Sequence, residues 1–297
     1  MKTHKLLSVL TAAVLLLGCG GTVPTVQAAE TVAFSGISGL PFANGEPFKG
    51  ADISSVIALE QSGVKFYDRS GNEQDIFVTL ADAGINCIRV RIWNDPTAAG
   101  SGVTYGGGAN DAAQAVKIAE RCKAAGLKLF VDFHYSDFWA DPSKQKAPKA
   151  WANYSVQQKA DAVYRYTKDT LNQIGSTGAD IAMVQIGNET TAGMCGVLLS
   201  DGNWGDGIWN DLASLWNAGS KAVREYDPDV LVALHFTNPE KTSNMQYLAK
   251  MVNQTRVDYD VFATSYYPYW HGTLQNLTAV LTGIANTYHK KADGHGL

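Results

Sequence analysis

The sequence predicts an α/β fold built on a parallel sheet, and three observations support this. After residue 45, short apolar runs of strand length alternate with longer runs of helical periodicity. The strand-like runs are apolar along their whole length, as in strands buried on both faces of a parallel sheet. No Pro-, Gly- or Ser-rich linker divides the chain, and no internal repeat is visible. We therefore expect one domain with six successive βα units.

The strands are predicted from apolar runs bounded by turn residues. The run at 181–186 is the clearest, because it ends abruptly in Gly187, Asn188 and Glu189. In α/β barrels, a carboxylate directly after such a strand lies at the edge where catalytic groups sit. The six predicted strands are Phe48–Ile53, Ile85–Trp93, Leu127–His134, Ile181–Gly187, Val230–Phe236 and Tyr259–Tyr266.

The helices are predicted from apolar residues that recur on one helical face. The first two cover 73–83 and 111–125, and Gly84 and Gly126 follow them where C-terminal caps belong. Ser155 and Gln158 fit a capping box that opens the third. A fourth stops before Pro228, and two more are marked by apolar residues over 245–252 and 274–288.

The ends of the chain have their own signals. A basic start, an apolar core and Val26-Gln27-Ala28 predict a secretory signal peptide over residues 1–28, followed by an N-terminal extension over 29–45. The alternative is a lipid anchor at Cys19, because Leu16 to Cys19 looks like a lipoprotein cleavage site. We expect a secreted, extracellular protein, with a lipid-anchored surface protein as the alternative.

Composition narrows the possible partners. The formal net charge of −4 argues against a nucleic-acid partner and offers no basic surface for a membrane. Removal of the signal peptide leaves Cys87, Cys122 and Cys195, an odd number without a Cys-x-x-Cys pattern, so a structural zinc site is not expected. Cys87 and Cys122 are predicted to be small core residues.

Five segments resemble the endo-β-1,4-galactanases of glycoside hydrolase family 53. They are GADISSV at 50–56, INCIRVRIWNDP at 85–96, VDFHYSDFWADP at 131–142, QIGNET at 185–190 and FATSYYPYWHG at 262–272. The resemblance implies a (β/α)8 TIM barrel with about six units present, over an incomplete catalytic domain at 46–291. Residues 292–297 do not form a buried apolar run, so we expect an aberrant tail in place of a seventh strand.

The resemblance also implies a reaction: retaining endo-hydrolysis of β-1,4-galactosidic linkages in pectic (arabino)galactan, without a cofactor or metal. This chemistry needs two carboxyl groups about 5–5.5 Å apart. Glu189 takes the acid/base role and Asn188 contacts a sugar hydroxyl beside it. The family nucleophile closes a seventh strand, so none is assigned and activity is expected to be impaired. The alternatives are a non-catalytic galactan-binding remnant and a poorly folded fragment.

Other polar residues share the predicted strand ends. Arg89 and Arg91 lie on one face of their strand, and Arg91 is predicted either to hold the nucleophile ionised or to form a structural ion pair. Asp132 and His134 share a face in the same way. A metal site at that pair is disfavoured, because strand one lacks His-x-His. His134 is expected to bind a sugar or to orient a carboxylate.

Aromatic residues crowd the same predicted edge and suit the flat C–H faces of galactose units. Four are predicted to be walls of sugar subsites, and two acids are placed on the same rim. The predicted walls are Trp93, Trp139, Tyr266 and Trp270, and the acids are Asp52 and Asp137.

Overall fold

The structure is a computed structural model that describes residues 41–42, 45–98, 104–199 and 205–295. The predicted signal peptide, the lipid-anchor cysteine Cys19 and most of the 29–45 extension lie outside the described residues. The described segments belong to one unit, Ser38–Leu297.

Strands and helices alternate along the chain. In order, the elements are β1 (Gly50–Asp52), α1 (Val56–Gln61), α2 (Ile76–Asp82), β2 (Cys87–Ile92), α3 (Ala112–Ala124), β3 (Lys128–Phe133), α4 (Val156–Ser176), β4 (Ile181–Ile186), β5 (Gly193–Met194), β6 (Val197–Leu198), α5 (Asp206–Tyr226), β7 (Leu231–Phe236), α6 (Thr242–Gln254), β8 (Val261–Ser265), α7 (Leu274–Tyr288) and β9 (Lys291–His295). Each of the six predicted strands is confirmed to within two residues at either end.

In the described part of the chain, the main sheet has seven strands in the order β1-β2-β3-β4-β7-β8-β9, and every neighbouring pair is parallel. The short strands β5 and β6 form a separate antiparallel hairpin. This confirms the predicted α/β class, because each pair of neighbouring parallel strands is joined by a crossover connection that contains a helix.

A seventh strand, β9, covers the described part of the segment for which an aberrant tail over 292–297 is predicted. The backbone of Lys291–His295 pairs with β8 in register, with Val261 opposite Lys291 and Ser265 opposite His295. Strand pairing uses backbone groups that every non-proline residue carries. A segment without an apolar run can therefore extend the sheet, although hydrophobic patterning does not reveal it.

Side-chain caps open several of the helices. Asp111 accepts a hydrogen bond from the Gln114 amide at the start of α3, and the capping box of Ser155 and Gln158 opens α4. Helix α1 was not predicted, because six residues are too few to show a period. No helix in the described ranges combines the length and apolarity needed to cross a bilayer.

Alternate residues of each strand face two different environments. One face packs against the helices and forms the larger core, with Val90, Val131 and Val184 among its members. The opposite face carries a smaller apolar cluster: Phe42, Cys87, Phe130, Met183, Ala233, Val261 and Ala263. Two residues further along several strands, this inner face becomes polar, and that change locates the candidate site. Cys87, Cys122 and Cys195 are buried, and none of them forms a disulfide within the described residues.

Candidate active site

A polar layer closes the inner face at the carboxyl ends of six neighbouring strands. Each strand contributes one residue, and successive members are hydrogen-bonded to one another. The members are Asp52 of β1, Arg89 of β2, Asp132 of β3, Gln185 of β4, His235 of β7 and Ser265 of β8. We call these six residues the polar layer.

Arg89 is the cationic centre of the polar layer and is almost fully buried. Its Nη1 donates to Asp52 at 2.7 Å, and its Nη2 donates to Asp132 at 2.7 Å. The same Nη2 lies 3.2 Å from the side-chain oxygens of Gln185 and Asn188. Burial lowers the pKa of Arg89, but Asp132 and Asp52 more than offset this, so its pKa is raised overall. Arg89 therefore stays charged and holds two carboxylates.

His134 supports Asp132 from within the protein. Its Nδ1 accepts hydrogen bonds from the Trp93 indole N–H at 3.2 Å and the Ala140 amide at 3.1 Å. Its Nε2 lies 3.0 Å from Asp132 Oδ2 and therefore carries the hydrogen that it donates. Both nitrogens are engaged in a ring that is 1% exposed. Of its two predicted roles, this geometry matches orientation of a carboxylate.

Gln185 connects the acidic half of the polar layer to its histidine. Its Nε2 donates to Asp132 Oδ1 at 2.6 Å and lies 3.2 Å from His235 Nδ1. Asn188 lies beside it and donates from Nδ2 to the Ala140 carbonyl at 2.8 Å. An amide nitrogen has two hydrogens, so one N–H of Asn188 has no acceptor among the described residues and could bind a ligand.

Glu189 follows β4 in a left-handed backbone conformation with φ 47°. Its Oε1 accepts a hydrogen bond from Ser265 Oγ at 2.7 Å, and its backbone N–H donates to His235 Nδ1 at 3.1 Å. Burial raises the pKa of Glu189, while the Ser265 hydrogen bond opposes part of that effect. The carboxyl group therefore stays protonated to a higher pH than an ordinary glutamate.

Gln145 fixes the backbone that carries Asn188 and Glu189. It comes from the long loop between β3 and α4, and its Nε2 donates to the Asn188 carbonyl at 2.8 Å and the Glu189 carbonyl at 3.1 Å. The left-handed geometry at Glu189 is uncommon for a residue other than glycine. The two carbonyls that Gln145 binds precede and follow the Glu189 Cα, so Gln145 holds the backbone on both sides of this residue.

Arg91 lies outside the centre that Arg89 occupies. Its Nη2 donates to the Gly107 carbonyl at 2.6 Å and to Ser55 at 2.8 Å, while Asp52 is 3.7 Å from Nη1. Its guanidinium lies 4.3 Å from the Trp139 ring centre. Burial lowers the pKa of Arg91, and Asp52 opposes this. Arg91 is thus tied to the β2–α3 loop, whereas Arg89 binds the carboxylates.

The four aromatic residues predicted to be subsite walls differ in exposure. Trp93 has no exposed surface, so it is not available to stack on a sugar. Tyr266 is buried, and its hydroxyl donates to the Gly272 carbonyl. The Trp93 ring packs against Phe138 and Trp139 of the loop after β3, and Tyr266 is held by the loop after β8. Trp139 is half-buried, and Trp270 is 72% exposed beside Tyr269 at 84%. Only Trp139 and Trp270 of the four keep an accessible face.

Asp137 anchors loops at the rim. Its Oδ1 accepts from the Asp95 amide at 3.1 Å and its Oδ2 from the Lys149 amide at 2.8 Å. Its predicted contact with substrate therefore stays a prediction, while its loop contacts are direct. Asp52, the other predicted rim acid, is bound to Arg89 and Ser54.

Four residues of the site were missed by the sequence analysis: Gln145, Gln185, His235 and Ser265. Three of them carried a usable signal, because each is a polar residue within the last two positions of an otherwise apolar strand. Gln145 carried none, since it lies in a loop rich in polar residues.

Comparison with known proteins places this site in a family. Residues 48–292 match glycosyl hydrolase family 53. The chain belongs to glycosyl hydrolase family 53. It is 52% identical to an endo-beta-1,4-galactanase of Bacillus subtilis over 85% of this chain and 60% of that protein. It is 36% identical to an arabinogalactan endo-beta-1,4-galactanase of Cellvibrio japonicus over 89% of this chain and 69% of that protein. The chain thus spans about 60% of the Bacillus relative's length.

Solved structures agree with this assignment. The family 53 catalytic domain of Ignisphaera aggregans superimposes with a TM-score of 0.76 at 36% identity, covering 85% of this chain and 69% of that domain. Fungal beta-1,4-galactanases give 0.72 at 29% identity over 82% of this chain and 72% of theirs. The predicted fold class is confirmed: the parallel strands and their helices are part of a (β/α)8 barrel.

Proposed function

We propose that this protein takes part in retaining endo-hydrolysis of β-1,4-galactosidic linkages, with Glu189 as the acid/base. The observation that carries the proposal is the setting of Glu189 at the carboxyl edge of the barrel. Its carboxyl group is half-buried, its pKa is raised by burial, and Ser265 holds one of its oxygens. A carboxyl group whose pKa is raised in this way keeps its proton to a higher pH and can protonate a leaving glycosidic oxygen.

Glu189 then serves both steps of a retaining reaction. It gives its proton to the leaving oxygen, and the resulting carboxylate activates the water that releases the sugar from the second carboxyl group. We assign that second carboxyl group to no described residue. Asn188 lies beside the acid, and its remaining N–H fits a sugar hydroxyl.

Galactan is the proposed substrate because the relatives named above are endo-beta-1,4-galactanases. The accessible faces of Trp139 and Trp270 fit the C–H faces of galactose units. A pectic polysaccharide is too large to enter a cell, which supports the proposal of a secreted enzyme. The chemistry proposed for Glu189 uses no cofactor.

The test measures reducing ends released from β-1,4-galactan by the full chain and by Glu189→Gln. Glutamine cannot donate the proton, so we expect a loss of about 10²- to 10⁴-fold. The matched control is Glu120→Gln on the exposed face of α3, which should keep wild-type activity. Affinity electrophoresis in galactan gels separates binding from turnover.

Each outcome decides between the proposed functions. Hydrolysis that Glu189→Gln abolishes and Glu120→Gln keeps supports the enzyme. Retardation by galactan without hydrolysis in any variant indicates a binding protein and overturns the catalytic proposal. If galactan neither retards the chain nor is hydrolysed by it, the proposal that galactan is the ligand is overturned.

A further inference from the structure

A closed circuit of hydrogen bonds joins Glu189 to two buried residues, His235 and Ser265. The Glu189 backbone N–H reaches His235 Nδ1 at 3.1 Å, His235 Nε2 lies 3.1 Å from Ser265 Oγ, and Ser265 Oγ lies 2.7 Å from Glu189 Oε1. His235 is 2% exposed and Ser265 is 3% exposed. The circuit therefore lies inside the barrel, behind the carboxyl group.

The direction of each hydrogen bond follows from one donor that cannot be reversed. A backbone N–H only donates, so His235 Nδ1 is an acceptor without a hydrogen. The Gln185 amide nitrogen, 3.2 Å from the same Nδ1, is also a donor. The hydrogen of the neutral ring is then on Nε2 and points to Ser265 Oγ. Ser265 accepts it and gives its own hydrogen to Glu189 Oε1.

This direction distinguishes the two oxygens of the carboxyl group. Oε1 already receives a hydrogen from Ser265. In a neutral carboxyl group the carbonyl oxygen accepts a hydrogen bond better than the hydroxyl oxygen does, so this contact favours Oε1 as the carbonyl oxygen. We infer that His235 and Ser265 are positioning residues that keep Oε1 as an acceptor, so that the acid proton is carried by Oε2. The inference rests on the proposed function, because it concerns the proton that Glu189 donates.

Other titratable groups near Glu189 also affect its pKa. They come from the end of β3, the β3–α4 loop and the loop after β8. Asp141 raises the pKa of Glu189, while His271 and His134 lower it. None of these three forms a hydrogen bond with the Glu189 carboxyl group among the described residues, which distinguishes Ser265 from them.

The first measurement needs no variant and no substrate. Long-range ¹H–¹⁵N NMR of the histidine rings in the wild-type chain reports which nitrogen of His235 carries the hydrogen. We expect the Nε2–H form. A His235 ring with its hydrogen on Nδ1 could not accept from the Glu189 N–H, which would break the circuit and overturn the inference.

The second measurement follows Glu189 itself by ¹³C NMR of labelled glutamate carboxyl groups, with Glu189→Gln to assign its signal. The hydrogen bond from Ser265 to Oε1 stabilises the Glu189 carboxylate. Ser265→Ala removes this hydrogen bond, so the Glu189 titration should move to higher pH. Ser265→Thr keeps a hydroxyl and should restore the wild-type titration. An unchanged titration in Ser265→Ala overturns the inference.

Neither NMR readout depends on turnover, so this test and the test of the proposed function fail separately. If the chain hydrolyses galactan, the high-pH limb of kcat/KM should move to higher pH in Ser265→Ala together with the NMR titration. If galactan is not hydrolysed, the NMR measurements still confirm or overturn the positioning role.

Discussion

At the scale of single residues, the site depends on how buried charges are paired. Arg89 lies between Asp52 and Asp132, and its removal would leave the 0% exposed carboxylate of Asp132 without its cation. Breaking a buried ion pair by deleting one partner is costly, because the remaining charge is neither hydrated nor neutralised. The polar layer is therefore both part of the site and a determinant of stability.

We predict that Arg89→Ala lowers the free energy of unfolding by about 3–5 kcal/mol, measured by urea denaturation. The matched control is Lys65→Ala, because the Lys65–Glu73 pair is more than half exposed and its loss should hardly move the midpoint. Equal small losses in the two variants would show that Asp132 does not need the Arg89 charge.

The sequence allowed part of this layer to be predicted. Arg89, Asp132 and Glu189 stood out because a charged residue beside an apolar strand is uncommon. Gln185, His235 and Ser265 did not, although each lies within the last two positions of an apolar strand. Their role depends on contacts between residues 50 and 30 positions apart, and those contacts require the strand register. A neutral polar residue near the end of an apolar strand is a signal in the sequence, but its partners are known only when the neighbouring strand is placed.

At the scale of elements, the turn after β4 decides where Glu189 points. Gly187 has φ 87°, and a Cβ there would lie 2.6 Å from Thr190 Cγ2 and 2.8 Å from Met194 Sδ. Only glycine fits both the left-handed conformation and the space. The Gly-Asn-Glu sequence was predicted to end a strand, but the packing of its glycine against the 190–194 segment was not visible in the sequence.

Gly187→Ala should therefore lower the free energy of unfolding by more than the strained backbone conformation alone would. Gly84 offers the comparison, because it has φ 88° and nothing lies within 4 Å of the position that a Cβ would take there. Gly84→Ala should cost about 1–2 kcal/mol of stability for the left-handed conformation. Gly187→Ala should cost roughly a further 1–3 kcal/mol for overpacking. Thermal unfolding of both variants checks this, and equal losses would contradict the packing argument.

At the scale of the whole molecule, alternation of strands and helices predicted the α/β class and the first six strands of the main sheet. Strand β9 was missed because its residues lack the apolar run on which strand prediction depends. The sheet order and register followed from no single segment. They arise when the apolar faces of all the strands are buried together, and this same burial brings the polar layer to one edge.

Stability of the whole chain should respond to pH in two opposite ways. Hydrogen bonds from Arg224 lower the pKa of Asp258. Burial raises the pKa of Asp141, but hydrogen bonds from Ser143 and Lys144 outweigh it, so that pKa is also lowered overall. Such carboxylates stabilise the fold above their unfolded pKa of about 3.9, and this stability is lost as pH falls through their folded values. Glu189 has the opposite sign, because its folded pKa is raised.

The stability associated with protonated Glu189 is fully present below its unfolded pKa, about 4.3, and is lost as pH rises through its folded pKa. Glu189→Gln stays neutral at every pH and avoids that loss. We predict that this variant melts close to wild type at about pH 4 but is more stable by about 0.5–2 kcal/mol at about pH 8. Melting curves between these pH values, with Glu120→Gln as the control, check this. A constant difference between Glu189→Gln and wild type would show that burial does not disfavour the Glu189 carboxylate, and it would remove the physical basis for its role as an acid.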